Sequence, residues 1–200
     1  FRDTGDGAEV DVQPEDGAAY TVRARFVLDG SGYGRVLPRL LDLERPSVLP
    51  ERMACFTHIK DNITDPDYDR QKILISTPTR LRDVWLWLIP FADGVASLGV
   101  VGEPARLEAL GDNPEAMLRA AVADVPLLAR FLQNADWNIG MPVRSLRNYS
   151  ANVSTLYGDH FALLGNASEF LDPVFSSGVT VAVVSSQLAA AALDRQLRGE

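Results

Sequence analysis

Near its C-terminus the chain reads Phe170-Leu171-Asp172-Pro173-Val174-Phe175-Ser176-Ser177-Gly178-Val179, and an almost uninterrupted run of small and apolar residues follows. A proline, two serines and a glycine make one corner against a helix expected from about Gly178 to Leu197. Helix starts leave backbone N–H groups unpaired and carry a partial positive charge, so they attract anions. Ser176 or Ser177 is a natural N-cap, and Gly178 lets a ligand approach the backbone. The run Val179-Thr180-Val181-Ala182-Val183-Val184 is apolar on all sides, so the helix start is expected to lie deep, where open donors need a partner. Two readings compete: a seat for something negatively charged, or a loop whose serines satisfy the donors themselves.

Just upstream, Phe161-Ala162-Leu163-Leu164-Gly165-Asn166-Ala167 reads as an apolar strand ending in Gly-Asn. A polar side chain just past a buried strand is placed to touch a cofactor at the strand's carboxyl end, although Gly-Asn also favours a plain turn. Far upstream, Asp29-Gly30-Ser31-Gly32-Tyr33-Gly34 follows another strand, and its glycines permit sharp turns and close backbone approach.

The elements between these stretches are mostly strands. Glu9–Val12 and Tyr20–Leu28 flank the turn Pro14-Glu15-Asp16-Gly17, and a Pro-punctuated linker runs from Pro38 to Pro50. Arg52–Lys60, Lys72–Ser76, Met141–Leu146 and His160–Leu164 read as strands. Asp83–Pro90 and Gly94–Val101 flank Phe91-Ala92-Asp93-Gly94 as a hairpin. Pro114–Leu132 has helical spacing, broken near Pro126. Strands, a helical section, then strand and helix again suggest an α+β chain, with an antiparallel sheet domain inserted between pieces of another fold.

In Trp85-Leu86-Trp87-Leu88-Ile89-Pro90 alternation puts Trp85 and Trp87 on one face and Leu86 and Leu88 on the other. Two indoles on one face make a flat, rigid wall for a planar ligand. The competing reading packs that face on the helical section.

Composition excludes several classes. The chain has 200 residues, 46% hydrophobic and 23% charged, with net charge −8. No Lys/Arg cluster offers a phosphate-binding surface, so nucleic acid is not an expected partner. The single cysteine, Cys55, cannot form an internal disulfide and fits a reducing, cytoplasmic setting. It sits in an apolar strand and is expected to be inert. No uninterrupted apolar run reaches the roughly 18 residues of a membrane span, so no transmembrane segment is expected. His58 and His160 lack metal-ligand spacing, and Asp65, Asp67 and Asp69 lie near a turn without a calcium-loop pattern, so no metal is expected. The first element is a hairpin with no core before it, which suggests a piece of a longer chain.

Taken together, these stretches resemble the flavin-dependent halogenases, within the FAD-dependent monooxygenase and geranylgeranyl-reductase-like oxidoreductases. Trp85 to Pro90 matches a W-x-W-x-I-P motif, and Phe170 to Gly178 matches F-x-x-P-x-x-S-x-G. Phe26-Val27-Leu28-Asp29-Gly30-Ser31-Gly32 is similar to the strand and turn that run beside FAD in that family. The resemblance implies an antiparallel substrate domain at 36–144. It also implies the C-terminal portion of a Rossmann-like FAD domain of the glutathione-reductase type at 1–35 and 145–200.

It further implies that Asp29, Gly30, Gly165, Asn166, Pro173, Ser176, Gly178 and Val179 contact FAD and that the backbone N–H groups of Ser177 and Gly178 hold halide. Asn166 stands where the family has an acid, keeping a hydrogen bond without the charge. Trp85 and Trp87 would be the wall that keeps substrate from the flavin. Phe175 points to phenolic or pyrrolic substrates, free or tethered to a carrier protein, since halogenases of free tryptophan tend to have glutamate there. The Gly-x-Gly-x-x-Gly turn and the halogen-relaying lysine of the family are absent, and neither Lys60 nor Lys72 takes the lysine's role. The implied chemistry makes hypohalous acid from oxygen and halide at reduced FAD, supplied by a separate flavin reductase, and delivers it to an electron-rich ring. The chain alone is expected to bind FAD weakly and to be inactive. The alternatives are another flavoprotein oxidoreductase, such as an aromatic hydroxylase or prenyl reductase, and a non-catalytic interaction domain presenting the tryptophan strand.

Overall fold

A computed structural model describes residues 1–200. In chain order the strands are β1 (Arg2–Asp3), β2 (Ala8–Val12), β3 (Tyr20–Ala24), β4 (Val27–Asp29), β5 (Glu44–Arg45), β6 (Met53–Lys60), β7 (Leu74–Ser76), β8 (Trp85–Pro90), β9 (Val95–Gly102), β10 (Arg144–Arg147), β11 (Asn152–Val153), β12 (Tyr157–Gly158) and β13 (Phe161–Leu163). The α-helices are α1 (Val36–Leu40), α2 (Pro104–Glu108), α3 (Pro114–Ala123), α4 (Pro126–Phe131) and α5 (Ser177–Arg198). They form two compact units: residues 1–49 with 150–200, and residues 50–149.

The unit of residues 50–149 is built on one antiparallel sheet in the order β10-β6-β9-β8-β7. Alternation along the central strands sends Cys55, Ile59, Leu86, Leu88, Leu98 and Val100 to one face, all fully buried. That face packs on Leu107, Met117, Leu118, Ala121, Val122 and Leu128 from α2, α3 and α4. Asn113 caps α3 by accepting from the Ala116 N–H at 2.9 Å, and Pro126 opens α4, so the expected break in the helical section is a change of helix. Burying the five aliphatic side chains of this set contributes on the order of 10 kcal/mol before conformational entropy is counted.

The other unit holds a three-stranded antiparallel ribbon, β1-β2-β3, and a small mixed sheet, β12-β13-β4, in which β13 and β4 run parallel. The sequence read Tyr20–Leu28 as one strand. It breaks at Arg25-Phe26, because its first half pairs with β2 and its second half with β13. The stretch from Pro38 to Pro50, expected as a linker, carries the end of α1 and also β5, which pairs with β11.

Helix α5 departs from expectation in its burial. It lies against the turn at Gly165–Ala167 but has no buried residue, and Val179, Val183 and Leu188 are exposed. Apolar composition gives a helix an appetite for cover without saying which element provides it. No uninterrupted apolar run of the length of a membrane span occurs in α5, as the sequence reading held. Across an 18-residue window α5 is nevertheless apolar enough, by length and composition only, to cross a membrane. Ser185, Ser186 and Gln187 interrupt the apolar run and lower its average without taking it out of that range. Beneath α5, Leu156, Ala162, Leu164, Leu188 and Leu193 line a hollow of about 920 Å³. A parallel strand pair ordinarily has both faces covered, so an open apolar hollow here is unusual.

Candidate functional site

In the unit of residues 1–49 and 150–200, the parallel pairing sets Leu163 beside Asp29, so both strands deliver their following turns to one edge. Ligands of open α/β sheets bind outside such carboxyl ends. Asp29, expected to touch FAD, is buried and its carboxylate is used internally. Its Oδ1 accepts from the Ser31 N–H and its Oδ2 from the Leu37 N–H, each at 2.8 Å. Asp29 therefore shapes the Gly30-Ser31-Gly32 turn and anchors α1. Gly30 has open space where a Cβ would project, so backbone approach at that turn is unobstructed.

Arg35, which the sequence reading passed over, ties the two turns together. It is buried, with φ at 46°, and its guanidinium reaches Glu44 Oε1 at 2.9 Å, the Asn152 carbonyl at 3.1 Å and the Asn166 carbonyl at 3.3 Å. The hydrogen bond from Arg35 holds the Glu44 carboxyl below its ordinary range. A lone arginine after a glycine turn gives no periodic signal, so only the fold reveals it.

Gly165 and Asn166 divide their labour. Gly165 has φ of +52°, and its N–H donates to Ser185 Oγ at 3.0 Å, locking the turn to α5. The Asn166 side chain is half-buried and finds no hydrogen-bond partner within the chain. It is the polar group of the pair still free to read a ligand.

The corner before α5 bears on the question raised by its sequence. Asp172 Oδ1 accepts from the Val174 N–H at 2.9 Å, and Pro173 opens a single 3-10 turn through Phe175. The Ser176 N–H closes that turn on the Pro173 carbonyl at 2.8 Å, with Ser176 left-handed at φ 53°. The Ser176 hydroxyl makes no capping hydrogen bond to the start of α5. Ser176 therefore does not seal the start of this 22-residue helix, whose first residues, Ser177 and Gly178, are half-buried. The corner is not deep, however, since Phe175 is 89% and Val179 76% exposed.

Phe170 links this corner to the glycine turn. Its ring lies 5.5 Å from that of Tyr33, and its edge is 3.5 Å from where a Cβ on Gly178 would stand. Burial pushes the Tyr33 phenol up from its ordinary value. Asp29–Gly34, Gly165–Asn166 and Pro173–Gly178 thus converge within one unit.

The unit of residues 50–149 presents the tryptophans. Leu86 and Leu88 face the helices, while Trp85 and Trp87 stand half-exposed on the opposite face, so the reading that packed them on the helical section is overturned. Their rings lie 5.7 Å apart at 46°, and Phe56 approaches Trp87 at 6.3 Å. His58 shares this face and meets Phe91 edge-on at 5.2 Å. Cys55 points the other way, fully buried beside Met117, and burial pushes its thiol up to about 11. Asp65 and Asp67 pair with Arg130, and Asp69 with Lys72. No group of three or more His, Cys, Asp or Glu side chains is arranged to hold a metal.

This arrangement defines a class: a flavoprotein-type parallel edge with an open helix corner, carried on one chain with an antiparallel sheet that bears an aromatic wall. The curated homologues of the chain are flavin-dependent halogenases. It is 28% identical to the flavin-dependent halogenase gsfI of Penicillium aethiopicum over 194 residues, which cover 93% of this chain and 36% of that protein. It is 27% identical to the 1H-pyrrole-2-carbonyl-[peptidyl-carrier protein] chlorinase of Pseudomonas fluorescens, across 84% of this chain and 38% of the other. Among solved structures, a flavoprotein/dehydrogenase from Cytophaga hutchinsonii matches the whole chain with a TM-score of 0.86 and 36% identity, over 48% of its own length. The myxobacterial chondrochloren halogenase CndH matches the whole chain with a TM-score of 0.83 and 28% identity, over 46% of its length. The chain thus spans between about a third and a half of the proteins it matches. No protein-family profile matches it.

Proposed function

We propose that this chain forms the flavin-contacting and substrate-facing part of an FAD-dependent halogenase that uses reduced flavin, oxygen and halide to halogenate a phenolic or pyrrolic ring. The observation that carries the proposal is the uncapped start of α5 at Ser177-Gly178, reached through a left-handed Ser176. FAD, when bound, supplies the oxygen-activating redox chemistry.

The residues present fit that group. Unsealed main-chain donors and a partial positive charge at Ser177 and Gly178 suit halide and the negative charge of reduced flavin. The free amide of Asn166 suits a ribose or diphosphate oxygen, and the unobstructed backbone at Gly30 allows close approach. Pro173, Ser176, Gly178 and Val179 would flank the flavin ring. Asp29 and Gly165 would act indirectly, by holding their turns in shape. Trp85 and Trp87 would form the flat side of the ring-binding face. The carrier-tethered pyrrole named for the Pseudomonas relative supports the same electron-rich substrate class for this chain.

The test is to combine the intact protein with FAD, a flavin reductase and chloride or bromide, offer phenols and pyrroles, and search for halogenated product by mass spectrometry. Oxygenated or reduced product without halogen would reject the reading. The likeness to the Cytophaga flavoprotein/dehydrogenase favours one second reading, an FAD-dependent oxidoreductase that does not halogenate. The same assay separates the two. A third arm titrates FAD into the 200-residue chain itself, for which weak binding is expected and tight stoichiometric binding would count against this assignment.

A further inference from the structure

We propose that Ser97 and Gly99 are positioning residues that seat the Trp87 indole across the open face of the sheet, and so help set which rings that face accepts. The substrate half of this proposal rests on the halogenase reading; the seat itself does not.

The argument begins with register. Strand β9 runs between β6 and β8, and Gly99 is directly opposite both Phe56 and Trp87. Neighbouring strands lie about 4.8 Å apart, so Phe56 and Trp87 start roughly 10 Å apart at the backbone. Their rings nevertheless come to 6.3 Å, which requires that nothing rise between them. A Cβ on residue 99 would overlap the Cζ2, Cη2 and Cε2 atoms of Trp87. The indole therefore lies over the bare backbone of Gly99, whose φ is not in the left-handed region that would otherwise call for glycine. Space, not backbone conformation, selects the residue.

The second fixing point is polar. Trp87 Nε1–H donates to Ser97 Oγ at 3.0 Å. An indole that covers a glycine can still swing about its side-chain torsions, and one directional hydrogen bond at its edge selects a single orientation. In that orientation the ring lies 5.7 Å from Trp85. Neither contact is needed for the core, which lies on the opposite face with Leu86, Leu98 and Val100. A glycine and a serine spent on an uncovered face are therefore matched to the position of the ring above them.

The test uses the chain with Gly99→Ala, Ser97→Ala and Ser97→Thr, reading the exciton couplet of the Trp85–Trp87 pair by far-ultraviolet circular dichroism. Thermal midpoints are taken alongside. Gly99→Ala is expected to abolish the couplet while the cooperative transition remains. Ser97→Ala is expected to diminish it, and Ser97→Thr, which restores the hydroxyl, to recover it. A couplet unchanged in Gly99→Ala and Ser97→Ala overturns the seat. Should Gly99→Ala not fold, the serine pair of variants decides alone.

The specificity half is read with phenol as probe, by quenching of tryptophan fluorescence. Loss of the indole hydrogen bond in Ser97→Ala is expected to weaken phenol binding roughly fivefold. An unchanged affinity with an altered couplet overturns the specificity claim. A wild-type chain that shows the couplet, while the intact protein makes no halogenated product, rejects the halogenase reading and leaves the seat standing.

Discussion

Gly165 and Ala182 touch so closely that a Cβ added to the glycine would stand 3.0 Å from the alanine Cβ and 3.2 Å from its Cα. This contact is where the carboxyl end of a parallel strand meets the first turns of α5, and it fixes the distance between two groups expected to face the same ligand. The Ser185 hydroxyl completes it by accepting from the Gly165 N–H while donating to the Ala182 carbonyl. Gly165→Ala meets two penalties at once, crowding against helix backbone and a left-handed φ of +52°. The expected loss is about 2 kcal/mol, or roughly 4–8 °C in melting temperature for a chain of this size. Ser185→Ala, which removes only the hydrogen bond, is expected to cost about 1 kcal/mol. Thermal melts of both variants check the order.

Asp61 and Arg70 provide the corresponding polar anchor in the other unit. The Asp61 side chain is almost fully buried and accepts twice from Arg70 Nη1, at 2.7 and 2.8 Å, and once from the Ile63 N–H at 3.1 Å. Arg70 is partly exposed, so losing Asp61 leaves a cation that water can still reach, whereas losing Arg70 strands a buried carboxylate. Arg70→Ala is therefore expected to destabilise the sheet unit by about 3 kcal/mol and to cost more than Asp61→Asn. Urea unfolding followed by tryptophan fluorescence measures both, since the indoles lie in the same unit.

Several carboxylates in the unit of residues 1–49 and 150–200 are held below their ordinary values. Glu44 owes this first to its hydrogen bond from Arg35, Glu9 and Asp11 to theirs from Arg2, and Asp3 to His160. A folded-state value below the unfolded one means that the stabilisation is complete above the ordinary carboxylate range. It fades as pH falls through the depressed values. Stability is thus expected to be flat near neutrality and to decline below about pH 4.5. Glu44→Gln should make that decline shallower, as read from melting temperature against pH. The exposed pairs around Arg2 should lose most of their share in high salt.

How much of this was legible in the sequence differs from feature to feature. The hairpin was, because Phe91-Ala92-Asp93-Gly94 fixes a turn, and alternation then divides leucines from tryptophans. The pairing of Trp87 with Gly99 follows from the same turn by counting, yet an interior glycine in β9 looks like a weakness until the ring above it is seen. The change from α3 to α4 was marked by Pro126. The split at Arg25-Phe26 was not, since alternation runs through it and the choice of partner for each half is made by distant strands. The buried position of Arg35 depends on groups up to 131 residues away, beyond any local signal. For α5, composition foretold an apolar helix correctly and misjudged its cover, because burial belongs to pairs of surfaces. The open corner could not be foreseen either: whether Ser176 caps depends on one backbone angle.

Cys55 gives a simple check on the buried face. It is fully buried among Leu, Met and Val side chains, with its thiol pushed up to about 11 by desolvation. The thiolate is the reactive form, so both its population and its access are suppressed near neutral pH. A thiol reagent at pH 7.5 is expected to leave Cys55 unlabelled in the folded chain and to label it completely in denaturant, by intact-mass analysis. Rapid labelling of the folded chain would mean that the sheet and its helices separate readily.

The corner at Ser177 allows a test in which stability and function move in opposite directions. Its unsealed donors carry the partial positive charge of the start of α5. Replacing Ser177 with aspartate places a fixed anion beside them. For the helix this is favourable, worth about 0.5–1 kcal/mol as an N-terminal charge. For a site that receives halide or reduced flavin it is unfavourable, since like charge now occupies the seat. Ser177→Asp in the intact protein is therefore expected to melt slightly higher while halogenation falls by at least tenfold. Ser177→Ala, which leaves the main-chain donors free, is expected to retain most activity. If the donors served only to start the helix, aspartate would raise the melting temperature and leave product formation intact. Measuring both variants for melting temperature and for halogenated product by mass spectrometry distinguishes a ligand seat from an ordinary helix end.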